Sequence, residues 1–208
     1  MPLLQTSEYR NDLRYHADVR ILTVPNAFTL MRLLLLPVFL WMLLVDDNRA
    51  GAALLLGVLG MTDWVDGWLA RVLHQRSDFG AVFDPVVDRM LFIVSAVGVW
   101  IDGGVAHWFL AALLFREVVV GAAMSIATLF GMERFAVSTL GKRYTFLLMT
   151  SVPFLLLGAS DHPTAQLGTV IGWVLGLPGL ALSYVTAIAY IPSIRLHLRQ
   201  GRARRRLR

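Results

Sequence analysis

Asp63–Trp64–Val65–Asp66–Gly67–Trp68–Leu69–Ala70–Arg71 is followed, after residues 72–79, by Gly80–Ala81–Val82–Phe83–Asp84–Pro85–Val86–Val87–Asp88. The two pieces carry four aspartates and lie between long hydrophobic runs. An ionised carboxylate at membrane depth costs roughly 2.5 to 3.5 kcal/mol, so these aspartates need a compensating purpose. On a helix Asp66, Gly67 and Ala70 fall within about 60° of Asp63, which puts two carboxylates and two small residues on one face. Gly80, Asp84 and Asp88 recur at i+4 and form a second stripe. Two helices meeting along these stripes gather four carboxylates, which repel one another unless cations bind. Hard oxygen donors without cysteine or paired histidine select Mg²⁺ or Mn²⁺. Magnesium usually keeps substrate phosphates among its ligands, so a phosphate-bearing substrate completes the site.

Working outward, the whole chain of 208 residues is 57% hydrophobic and only 16% charged, against about 25% charged in a soluble domain. That balance predicts a membrane protein. The absence of cysteine excludes disulfides and thiolate metal sites. The net charge of +5 could suggest nucleic acid, but Arg195, Arg199, Arg202, Arg204, Arg205, Arg206 and Arg208 concentrate it after the last hydrophobic run. Such a tail suits anionic lipid headgroups better, and no nucleic-acid partner is expected. The first twenty residues lack the apolar core of a cleavable signal peptide.

The predicted fold is all-α: an integral membrane protein of six transmembrane helices preceded by a short interfacial helix. It forms a single membrane domain over 1–208. Residues 7–21 are the interfacial segment, 24–191 hold the six helices, and 192–208 form a basic cytoplasmic tail. The helices are expected at about 24–45, 50–74, 80–101, 106–131, 139–158 and 166–191, each close to the ~20 residues that cross a bilayer. Pro25 suits the start of the first and Asp102–Gly103–Gly104 makes a turn after the third. Arg116 and Glu117 in the middle of the fourth must face the protein interior. Six crossings leave both termini on one side, which collects the N-terminal arginines, Arg71, Arg76, Arg134, Lys142, Arg143 and the tail. The opposite loops hold only Arg49, so the positive-inside rule places the termini and the aspartates towards the cytoplasm of a multi-pass cell-membrane protein. Trp41, Trp100 and Trp108 fall at the outer ends as interfacial anchors.

Written out, the opening stretch is D-x2-D-G-x2-A-R-x8-G-x3-D-x3-D from Asp63 to Asp88. It resembles the signature of the CDP-alcohol phosphatidyltransferases, membrane enzymes that transfer a phosphatidyl group from CDP-diacylglycerol to an alcohol and release CMP. The resemblance implies that Asp63, Asp66, Asp84 and Asp88 hold the divalent metal and that Asp88 is the general base for the acceptor hydroxyl. It implies that Asp66, Gly67, Ala70, Arg71 and Gly80 receive CDP. The small residues leave room for the nucleotide, and the Arg71 fork meets a phosphate oxygen. Asn26, Thr29 and Arg32 share one face of the first helix, and family members often show a comparable Pro-Asn followed by Thr and Arg. With Arg116, Lys142 and Arg143 they are candidate acceptor-binding residues; Arg32 could instead snorkel to the interface.

The layout is most similar to the phosphatidylglycerophosphate synthases, which implies glycerol 3-phosphate as acceptor. A cardiolipin synthase using phosphatidylglycerol is the alternative within the superfamily. Relatives imply a homodimer among membrane lipids. A divalent-cation transporter could also use buried aspartates, but it has no use for a nucleotide-shaped gap, and Arg71 would repel its ion.

Overall fold

The computed structural model describes residues 24–72, 78–130 and 139–206, and the side chains within 27–62, 83–84, 86–130 and 144–192. Six helices make up the described fold: α1 Val24–Leu44, α2 Arg49–Val72, α3 Asp78–Asp102, α4 His107–Leu129, α5 Thr139–Gly158 and α6 Ala165–Arg206. Among the described residues there is no strand. Segment 7–21, expected to be interfacial, lies outside them.

The helix bounds follow local chemistry. α1 opens with Val24 and Pro25, where a missing N–H costs nothing. α3 ends at Asp102, and Gly103 takes φ +77°, a left-handed turn that only glycine adopts without strain. α6 differs most from the sequence expectation. It continues past Pro192 to Arg206, 42 residues in all, where the helix was expected to end near residue 191 and a basic tail to follow. At 1.5 Å per residue this is about 63 Å, roughly twice the hydrocarbon thickness of a bilayer.

α1 packs on α2 and α3, α2 on α5, and α5 on α6, while α4 bridges α3 and α6. The core is aliphatic and aromatic, with Phe39, Leu43, Leu59, Val99, Phe109, Leu110 and Leu156 fully enclosed. α5 and α6 share the most extensive contact. Their closeness depends on a glycine row, Gly168, Gly172, Gly176 and Gly179, which brings one turn of α6 after another against α5. A Cβ at Gly172 would fall 2.8 Å from the backbone N of Leu155 and 2.7 Å from that leucine's side chain. Small residues serve apolar helix pairs in this way, because lipid supplies no hydrophobic drive for them to associate.

Three helical stretches are long and apolar enough to cross a membrane, Ala27–Leu44, His107–Leu129 and Ala165–Pro192. The apolar stretches Arg49–Thr62 and Tyr144–Gly158 are shorter. No more than 28% of any of the three long windows is buried inside the protein. Their outward surface is instead apolar, with Leu34, Phe115, Leu129, Val174 and Ile188 all exposed. Apolar side chains turned outward over whole helices fit lipid as the surrounding solvent.

A polar knot ties the end of the bundle away from Asp84. Arg49 Nε donates to both Asp102 oxygens at 3.0 Å and Nη1 donates to the Ala159 carbonyl at 3.2 Å, joining α2, α3 and the end of α5. Trp108 stacks on Trp173 with centroids 5.6 Å apart, and Trp100 meets His107 edge-on at 5.3 Å.

Candidate active site

Asp84 and Asp88 lie one turn apart on α3, and α1 answers them at matching height. Thr29 Oγ1 donates to Asp84 Oδ1 at 2.6 Å. Arg32, three residues further along α1, pairs with Asp88 Oδ1 through Nη1. Thr29 and Arg32 are both fully buried, whereas the Asp88 side chain keeps 30% exposure. A buried guanidinium thus holds one side of a carboxylate whose surroundings stay open. The face expected to address the acceptor therefore engages the aspartates, and Arg32 points inward to Asp88.

A second charged chain begins at the next residue of α3. Arg89 Nη2 reaches Glu117 Oε1 at 2.6 Å, and the other Glu117 oxygen accepts from Arg116 Nη1 at 2.7 Å. Arg116 is 2% exposed and saturated further: Nη2 donates to the Tyr144 hydroxyl at 2.5 Å and Nε to the Ser183 carbonyl at 3.3 Å. Its guanidinium carbon stands 4.4 Å from the Tyr144 ring centroid, so the ring and the hydroxyl both address the cation. The interior position expected for Arg116 and Glu117 is thus realised by partners on α3, α5 and α6.

Between these groups lies a cavity of about 290 Å³ with Asp88, Arg89, Arg116, Glu117, Tyr144 and Thr145 on its polar side. Phe92, Leu113, Leu148 and Met149 form its apolar side. Arg89, Tyr144 and Thr145 line this candidate site and were not among the residues expected from the sequence. Arg89 and Glu117 each stand next to another charged residue inside an apolar run, and that doubled cost was the available signal. Nothing in the spacing pointed to Tyr144.

Asp63, Asp66, Gly67, Ala70 and Arg71 fall on the last turns of α2, and Gly80 on the first turn of α3. Only residues 73–77 separate the two helices, so their facing ends lie at most about 22 Å apart. Both halves of the motif therefore belong to the same end of the bundle. Their side chains, like those of Asn26, Lys142 and Arg143, lie outside the described ones. Among the described residues no three His, Cys, Asp or Glu side chains form a metal-holding group. Asp84 and Asp88 do supply hard oxygen donors on one helical stripe, a donor chemistry that suits Mg²⁺ or Mn²⁺.

Residues 22–185 match the family model described as CDP-alcohol phosphatidyltransferase. The chain is 31% identical over 191 residues to the Mycobacterium tuberculosis H37Rv protein named "Putative cardiolipin synthase", covering 89% of this chain and 91% of the relative. It is 33% identical over 181 residues to the Streptomyces coelicolor cardiolipin synthase (CMP-forming), covering 85% and 84%. It is 32% identical over 194 residues to the Escherichia coli K12 CDP-diacylglycerol–glycerol-3-phosphate 3-phosphatidyltransferase, covering 86% and 95%.

Proposed function

The chain belongs to the CDP-alcohol phosphatidyltransferase family, and from that premise we propose that it transfers a phosphatidyl group from CDP-diacylglycerol to a hydroxyl of a glycerol phosphate acceptor, releasing CMP. The observation that carries this reading is the position of Asp88. It is held by Arg32 from α1 and lines the cavity that also contains Arg89 and Arg116. A hydroxyl brought into that cavity by an anionic headgroup meets a carboxylate able to take its proton. The acceptor oxygen forms a new bond to the phosphorus bearing diacylglycerol, the bond from that phosphorus to CMP breaks, and the proton passes to an Asp88 oxygen.

Asp63, Asp66, Asp84 and Asp88 would hold the divalent cation, which supplies charge neutralisation at the pyrophosphate. Thr29 fixes the Asp84 carboxylate for that task. Asp66, Gly67, Ala70, Arg71 and Gly80 would receive the nucleotide, with Arg71 on a phosphate oxygen. A cation path is a poor alternative, because a buried arginine on Asp88 raises the barrier to an ion there.

Glycerol 3-phosphate is the first acceptor assigned, in keeping with the E. coli relative and with the two arginines beside Asp88. Phosphatidylglycerol is the second. It is favoured by the M. tuberculosis and S. coelicolor relatives and by the apolar wall of Phe92, Leu113, Leu148 and Met149, which suits a lipid-borne headgroup. Around the site we assign the protein six membrane crossings, both termini and the aspartates towards the cytoplasm, and a homodimeric assembly. The excess of basic residues at the aspartate end supports the orientation.

The test is CMP release by purified protein with Mg²⁺ and CDP-diacylglycerol, comparing glycerol 3-phosphate with phosphatidylglycerol. Release stimulated by one of them is expected, and Asp88→Asn should bind CDP-diacylglycerol yet lose release by at least about 10²-fold. Absence of acceptor-stimulated release from folded wild-type protein would refute the assignment.

A further inference from the structure

Glu117 gives each carboxylate oxygen to a different arginine, Oε1 to Arg89 and Oε2 to Arg116, at 2.6 and 2.7 Å. The two cations are not equivalent. Arg116 is pinned by Tyr144, Ser183 and Glu117 and is 2% exposed, whereas the Arg89 side chain is 45% exposed. Room for Arg89 comes from Gly121, one turn after Glu117 on α4. A Cβ at Gly121 would fall 2.8 Å from Arg89 Nη1, so the guanidinium lies against bare helix backbone. The charged groups lining the cavity are Asp88, Arg89, Arg116 and Glu117. Asp88 is matched from α1 by Arg32. What remains on the cavity side is two positive charges less the one negative charge of Glu117.

We propose that Glu117 is a specificity-determining residue that sets how much negative charge the acceptor site takes. With its carboxylate shared between Arg89 and Arg116, the described lining offers a surplus of one positive charge, which narrows its preference for a phosphomonoester over a phosphodiester headgroup. Without it the surplus is two, which matches a phosphomonoester. A phosphate entering the cavity competes with Glu117 for the exposed Arg89, while Arg116 stays fixed as the second contact. Glu117 therefore weighs singly against doubly charged acceptors, whichever of them the wild-type enzyme prefers. The inference rests on the reading that this cavity is the acceptor site.

The experiment measures kcat and KM for glycerol 3-phosphate and for phosphatidylglycerol in mixed micelles with CDP-diacylglycerol and Mg²⁺. In Glu117→Gln the ratio of kcat/KM for glycerol 3-phosphate over that for phosphatidylglycerol should rise by about tenfold, mostly through KM, since one unit charge is removed a few ångströms from the ligand. Glu117→Asp, which keeps the charge, should return the ratio towards wild type. Arg89→Gln, at a half-exposed position, should move the ratio the other way. It also decides the matter if Glu117→Gln does not fold. An active wild type whose ratio stays within about twofold in Arg89→Gln, or moves in the same direction in both variants, overturns the inference alone. A wild type silent with both acceptors sinks the transferase reading, and this inference with it.

Discussion

Arg32 shows how little of a residue's work is visible from its type. As a lone arginine near the start of a hydrophobic helix it has an inexpensive alternative, the interface, yet it is buried against Asp88. Removing one partner of a buried pair leaves the other charge uncompensated, a penalty of about 3 to 5 kcal/mol where burial is complete and less for a partner as exposed as Asp88. Arg32→Ala is therefore expected to lower kcat by about 10²-fold or more, because Asp88 loses the group that fixes its rotamer. KM for CDP-diacylglycerol should change far less, and Arg32→Lys should recover part of kcat. Steady-state kinetics of the three proteins decides this. Equal losses of kcat with lysine and alanine would show that the fork geometry of arginine, not its charge, is what Asp88 needs.

At the scale of elements, α3 is the member on which both polar systems meet. Asp84 and Asp88 face α1, while Arg89 crosses to α4. Its other end is locked by Asp102 to Arg49. Eighteen residues of helix separate Asp84 from Asp102, about 27 Å, close to the hydrocarbon thickness of a bilayer. The α5–α6 pair is the rigid backing of the cavity wall that bears Tyr144 and Leu148, and its glycine row makes it a sharp target. Gly172→Val must push against the Leu155 backbone, which cannot yield as a side-chain tip can. A loss of about 1 to 3 kcal/mol is expected, read as a lowered midpoint of thermal or detergent-driven unfolding. Substitution at Gly60, where a Cβ meets nothing within 4 Å, is the control that should leave the midpoint unchanged.

For the whole molecule, the continuous α6 changes how the basic C-terminus is understood. Apart from the N–H groups that Pro178 and Pro192 lack, the backbone of this 42-residue helix bonds within itself, so its last turns can leave the bilayer without unravelling and carry their arginines beyond the interface. Truncation after Gln200 removes Arg202, Arg204, Arg205, Arg206 and Arg208. In nanodiscs this truncation is expected to abolish the salt-sensitive part of any stimulation by anionic lipid while leaving CMP release in neutral lipid unaltered. Retained, salt-sensitive stimulation would place the lipid-sensing charge elsewhere.

The sequence by itself determined the membrane class, the six helical segments nearly to their ends except the C-terminal end of α6, and the family. Hydrophobic run length and the residue spacings from Asp63 to Asp88 are local properties that need no knowledge of how helices meet. Only the tertiary structure decided that Thr29 and Arg32 belong to Asp84 and Asp88, that Arg89 and Tyr144 enter the site, and that Glu117 stands between two arginines. Each of those contacts joins residues on different helices. Which face of one apolar helix meets which face of another is set by packing, by rows such as Gly168 to Gly179 and by the pairing of buried charges, and not by any periodicity within one segment.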